Sequence, residues 1–186
     1  MKQFKIIATI ATMAFLFTCG IAGAEDAPQK VVDLANSTLA KLGTEPVIVA
    51  AVKAENAKGK TLDQIKAMDE KWKAAPGIKD YMQALIDSEC GRSLGKVLDS
   101  QPYFAEIFVM DNQGANVAMT DKTSDYWQGD EAKFKKSYNG GKGAVFVDEV
   151  EFDDSTQAYL CQVSVPVIDG DKVIGAITIG VDVEKI

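Results

Sequence analysis

The hydrophobic period of the chain changes once, at Pro102, and that change constrains the fold more than any other feature. Before Pro102 apolar residues recur every three or four positions, as on one face of a helix. After it they run in stretches of strand length separated by turn residues. Strands that follow one another directly pair as antiparallel neighbours. The expected class is α+β, with N-terminal helices followed by a five-stranded antiparallel sheet.

Val31, Leu34, Ala35, Thr38, Leu39 and Leu42 share a face of the first helix, which Gly43 is expected to end. Pro46 suits the first turn of a second helix over 47–57, stopping at Gly59. Thr61 caps a third, with Leu62, Ile65, Met68 and Trp72 on one side and Asp63 in its first turn. After Pro76-Gly77 a fourth begins with Ile78, Tyr81, Met82, Leu85 and Ile86 and runs on through Leu94 and Leu98, weakened by Gly91 and Gly95. Strands are expected over 104–110, 115–120, 144–152, 157–168 and 172–183, with a short helix over 128–138. Asp111-Asn112-Gln113-Gly114 and Asp169-Gly170-Asp171 mark hairpins. Two of the strands are too continuously apolar for a sheet with one wet face. The long fourth helix is expected to cover one face and the short insertion the other.

Residues 1–24 read as an address rather than as structure. Lys2 and Lys5 precede an apolar run over 6–17, and Ala22-Gly23-Ala24 stands before Glu25-Asp26. That is the pattern of a secretory signal peptide cut after Ala24, and it predicts a periplasmic or secreted protein. An uncleaved anchor and lipidation at Cys19 are the competing readings. The expected organisation is 1–24 signal peptide, 25–102 helical segment packing on the sheet, and 103–186 sheet domain. In an oxidising compartment Cys90 and Cys161 form an even pair. They either bridge, closing a loop of about 70 residues worth ~4 kcal/mol, or remain buried thiols.

Charge and composition narrow the function. The 186 residues carry 20 Lys+Arg against 27 Asp+Glu, a net charge of −7, which argues against a nucleic-acid partner. There is no histidine, so Ser-His-Asp and Cys-His nucleophiles and His-ligated metals are excluded. No enzyme activity, cofactor or metal is expected. Acidic turns at 148–154, Asp169 and Asp171 lack the alternating spacing of a calcium loop. A free Cys161 has no identifiable base beside it. Glu106 interrupts an apolar strand and either faces a polar pocket or reaches solvent. The densest polar and aromatic cluster is 120–131, containing Tyr126, Trp127 and Asp130. Either it forms the lid of a small-ligand pocket, or its aromatics plug the core edge while Asp125 and Asp130 cap a helix.

Three segments carry a family resemblance: residues 104–111 and the turn after them; Ser124-Asp125-Tyr126-Trp127-Gln128-Gly129-Asp130-Glu131; and the ending Gln162-Val163-Ser164-Val165-Pro166-Val167 with Val173-Ile174-Gly175-Ala176-Ile177-Thr178-Ile179-Gly180-Val181-Asp182. Together they resemble a single Cache domain, the PAS-like extracytoplasmic sensor also called PDC. The resemblance implies ligand sensing, with a small molecule between the sheet and its covering loop. Tyr126, Trp127 and Asp130 are the implied ligand-binding residues, with Tyr159 or Cys161 on the sheet. The implied ligand is an amino acid, an amine or a small acid. Arg92 is the lone arginine and lies in the helical half, so a carboxylate would need it or a substitute such as Lys133. An amine or a neutral ligand is therefore favoured. The expectation is an exported soluble binding protein, without its own transmembrane or output domain, that hands occupancy to a membrane receptor. The alternative is a protein-interaction module whose pocket is filled by side chains.

Overall fold

Each half of the chain folds as its period dictates. The computed structural model describes residues 26–153 and 156–186; the expected signal peptide over 1–24 and Cys19 lie outside the described residues. The helices are α1 (Gln29–Ser37), α2 (Pro46–Asn56), α3 (Leu62–Lys73), α4 (Asp80–Ile86) and α5 (Glu89–Leu98), with a 3₁₀ turn at Leu39–Thr44. The strands are β1 (Phe104–Met110), β2 (Asn116–Met119), β3 (Phe146–Asp153), β4 (Ala158–Asp169) and β5 (Lys172–Asp182), and α6 (Ala132–Tyr138) separates β2 from β3. The fold is α+β, and its five-stranded, PAS-like sheet is antiparallel throughout, in the order β2-β1-β5-β4-β3. The continuously apolar β5 lies at the centre. β3 forms one edge, half-exposed and carrying Asp148, Glu149, Glu151 and Asp153.

Strand alternation gives the sheet two unlike faces. One is wholly apolar. Ile107, Val109, Val163, Val165, Ile177 and Ile179 meet Val31, Leu39, Ile48, Val52 and Leu94 from the helices. The other face carries Phe108, Met110 and Ala176, but also Glu106, Gln162 and the hydrogen-bonded pair Ser164–Thr178 (2.8 Å). α6 and the 120–131 segment lie over that mixed face.

Local signals account for several boundaries. Thr61 and Gln64 form a reciprocal capping box: Thr61 Oγ1 accepts from the Gln64 amide at 3.3 Å and Gln64 Oε1 accepts from the Thr61 amide at 2.9 Å. Pro46 opens α2 at its first turn. Two expectations need correction. The long fourth helix is two helices, because Ser88 Oγ accepts the Gly91 amide at 2.9 Å and starts α5 afresh. Gly91 allows the corner: a Cβ there would stand 2.2 Å from Ile86 O. The apolar face is accordingly covered by α1, the 3₁₀ turn, α2 and α5 rather than by one long helix.

Gly43 does not end the first helix either. α1 stops at Ser37, and Gly43 lies in the 3₁₀ turn against β4, where a Cβ would fall 2.0 Å from Pro166 O. Its role is close approach, not helix termination. Gly43→Ala is expected to lower unfolding free energy in urea by about 1–3 kcal/mol, the usual cost of overpacking a tight contact. A change within a few tenths of a kcal/mol would refute that role.

Candidate functional site

The segment after β2 is held away from solvent by a dense set of bonds. The Asp69 carboxylate on α3 accepts the backbone amides of Tyr126 (2.8 Å) and Trp127 (3.0 Å) through Oδ1. Trp72 Nε1, one turn further along α3, donates to Thr123 O at 2.8 Å. Asn116 Nδ2 donates to Thr123 Oγ1 (2.7 Å) and Asp125 O (3.2 Å). Ala115 and Trp127 form an isolated bridge, and the Gln128 amide donates to Gly114 O at 2.8 Å. Gly114 has φ +85°, and a Cβ there would lie 2.4 Å from Gly129 Cα, so this crossing requires glycine.

On an extended segment adjacent side chains point opposite ways, and Tyr126 and Trp127 separate accordingly. Tyr126 is 4% exposed and packs with its ring centroid 5.5 Å from that of Trp72. Its hydroxyl accepts from Lys60 Nζ at 3.0 Å, and Lys60 is paired with Glu55. Burial pushes the Tyr126 phenol pKa up. Trp127 turns toward α3: Nε1 donates to Gln113 O at 2.8 Å, and Lys66 Nζ lies 4.9 Å from a ring centroid. Trp127 and Asp130 line a hollow of about 300 Å³ with Lys66, Glu70, Lys73 and Glu131.

A larger hollow, about 520 Å³, opens on the mixed face of the sheet. β1 contributes Glu106 and Phe108, β4 Gln162, α6 Lys133, and β3 Phe152 and Asp153; Lys122, Thr123, Ser124 and Gln128 close it from the covering segment. That volume suits a small molecule. Glu106 is a carboxylate on the floor of this hollow, with Asp153 at the β3 edge. The strand register shifts between Phe104 and Glu106, and Gly180 lies opposite, where a Cβ would come within 2.7 Å of Glu106 Cγ. Gln162 Nε2 donates to Glu106 Oε1 at 2.7 Å. Burial raises the Glu106 pKa above its ordinary 4.5, Gln162 and Lys133 oppose the rise, and Asp153 and Glu131 add to it. Lys133 Nζ pairs with Glu131 at 3.0 Å and lies 5.7 Å from the Phe108 ring centroid. Gln128 is 1% exposed; its Nε2 donates to Asp125 O at 2.9 Å, while its Oε1 has no hydrogen-bond partner. A second hollow of about 150 Å³ shares Lys133, Phe152, Asp153 and Gln162 and adds Asp148, Glu149 and Glu151.

The structure does not gather the residues singled out from sequence into one place. Tyr126 is core, Trp127 and Asp130 face α3, and Tyr159 is exposed with its ring 5.2 Å from that of Phe152. Tyr159 therefore stands behind the rim of the large hollow. Of the two alternatives for Glu106, the pocket is the one found. Lys133 reaches the hollow, whereas Arg92 is exposed on α5 and donates to Asp87 O. Cys90 and Cys161 are free, buried thiols, so the bridge is not formed. Cys161 Sγ instead donates to Asp148 O at 3.1 Å, and burial pushes both thiols up to about 11, well away from reactive thiolate. Gln128, Gln162 and Phe152 were missed. The polar alternation of Gln162 and Ser164 among valines, and the glycine paired with Glu106, were the available signals.

No family model and no curated protein matches the chain. Solved structures similar to it include the sensor domain of the V. cholerae histidine kinase DctB (12% identity, TM-score 0.44, covering 84% of this chain and 51% of that one). The ligand-binding domain of the Campylobacter jejuni chemoreceptor Tlp3 in complex with L-valine is similar at 18% identity and TM-score 0.37, over 85% of this chain and 65% of that one. The ligand-binding domain of the Pseudomonas aeruginosa amino acid chemoreceptor PctC in complex with GABA shares 12% identity at TM-score 0.39, over 84% and 60%. The chain thus spans between about half and two thirds of the length of these domains.

Proposed function

We propose that the protein is an exported Cache-type small-ligand-binding protein whose ligand occupies the 520 Å³ hollow between the mixed sheet face and the 120–131 segment. The observation that carries this reading is Glu106. A carboxylate held on the floor of a hollow, at a cost in desolvation, is better explained by a ligand than by stability. The leader fits export, and a soluble protein of this kind would act by passing its occupancy to a membrane receptor. An open volume of this size weighs against a module whose pocket is filled by side chains.

The reading is checked by thermal melts against amines, short acids and amino acids, with L-valine, L-isoleucine and GABA included. At least one compound should stabilise the protein, by about 2.7 kcal/mol at a hundredfold excess over its Kd. Ser124 is exposed at the mouth of the hollow, so Ser124→Trp should fold normally and lose that response. No shift with any compound, or a shift unchanged in Ser124→Trp, would overturn the assignment.

A further inference from the structure

We propose that the ligand of this hollow is an organic ammonium without a carboxylate, its N–H groups held by the Glu106 carboxylate and Gln128 Oε1. The inference rests on the reading of the hollow as a ligand site and asks which chemistry the site recognises.

The acceptors around the hollow are in surplus. Glu106 uses Oε1 for Gln162, and among the described residues Oε2 has no partner. Gln128 Oε1 is buried and also unpartnered. An unmet buried acceptor is unfavourable, so a ligand that donates to it gains correspondingly. An ammonium brings up to three donors to one point.

The two lysines at the hollow each hold one acceptor already. Lys133 Nζ is paired with Glu131 at 3.0 Å, and Lys122 Nζ donates to Ala75 O at 2.9 Å. A carboxylate entering here would have to compete with Glu131 for Lys133 and would face Glu106 and Asp153. Asp148, Glu149 and Glu151 line the adjoining hollow and extend the negative field outward, which favours approach of a cation. Phe108 and Phe152 line the hollow and give the carbon chain of such a ligand apolar surface to pack on.

Titration of Glu106 follows from the same arrangement. The groups facing it are Gln162 on β4, Lys133 on α6, Asp153 on β3 and Glu131 before α6. With burial dominant, its proton is held more tightly in the folded than in the unfolded chain. The empty protein is therefore favoured by protonation of Glu106 and loses that contribution as pH rises through the raised pKa. Ammonium binding has the opposite requirement, the ionised carboxylate, and should weaken as pH falls toward 4.5.

The test is calorimetric titration of the protein with n-butylamine, putrescine, L-valine, GABA and succinate at low salt. The expected result is that an amine binds more tightly than valine, GABA or succinate, and more weakly as pH falls. Glu106→Gln should weaken amine binding by on the order of 10- to 100-fold and flatten its pH dependence. The same variant should melt no lower than the parent at neutral pH, because it removes a carboxylate that burial disfavours. Should the variant not fold, the pH dependence of the unaltered protein decides alone. Tightest binding by valine, GABA or succinate, blocked by Ser124→Trp, would overturn the ammonium assignment and leave the site standing. Amine binding independent of both pH and Glu106 would also overturn it. Binding of none of the five would overturn the assignment and count against the site itself.

Discussion

Asp69→Ala is expected to destabilise the protein by about 2–5 kcal/mol, because it strips the partner from two backbone amides at once. Asp69 is 4% exposed, and its Oδ1 receives both Tyr126 and Trp127. Among the described residues the covering segment has no strand partner there beyond the single Ala115–Trp127 bridge, so these amides depend on Asp69. The ion pairs on the same carboxylate matter less. Lys73 Nζ lies 2.7 Å from Asp69 Oδ2 and 3.0 Å from Asp125 Oδ1, but its side chain is 47% exposed. Lys73→Met should accordingly lower stability far less than Asp69→Ala. Urea unfolding of the two variants separates the contributions. Similar small losses in both would show that Asp69 is merely half of a surface ion pair.

The other large effect is expected at Trp72. It is 1% exposed, with its ring between Tyr126 (5.5 Å) and Tyr81 (6.1 Å), and its indole N–H ties α3 to Thr123 O. Trp72→Ala should cost about 3–5 kcal/mol through the cavity it leaves. Trp72→Phe keeps most of the volume and removes the donor, so it should cost about 1–3 kcal/mol. Because Thr123 also lines the proposed ligand hollow, the Phe variant tests whether that wall is held from α3. If it is, the Phe variant binds more weakly than the parent even where both are fully folded. Equal losses for the two substitutions would mean that packing, not the Thr123 bond, accounts for the position.

Much of this fold was legible because its signals are local. The Thr61–Gln64 capping box, Pro46 at the start of α2 and the Asp169-Gly170-Asp171 turn each depend on residues a few positions apart. The glycines were harder. Gly43 and Gly91 look like helix breakers in sequence, yet each is set by a backbone carbonyl against it, one of them more than a hundred residues away. The candidate site was legible only as a region. In sequence Tyr126 and Trp127 look like one aromatic pair, although neighbours on an extended segment cannot both face one hollow. The decisive floor residue, Glu106, was visible as an acid in an apolar strand. Its direction was not, since that depends on the register shift after Phe104 and on the glycine paired across from it.

The acidic edge strand also bears on how two molecules can meet. β3 leaves one side of its backbone without a neighbouring strand, an invitation to self-templated growth of the sheet from molecule to molecule. Asp148, Glu149, Glu151 and Asp153 fall within eight residues of that edge. A second copy docking edge to edge would bring two such rows together, and like charges facing across that contact disfavour growth of the sheet from one molecule to the next.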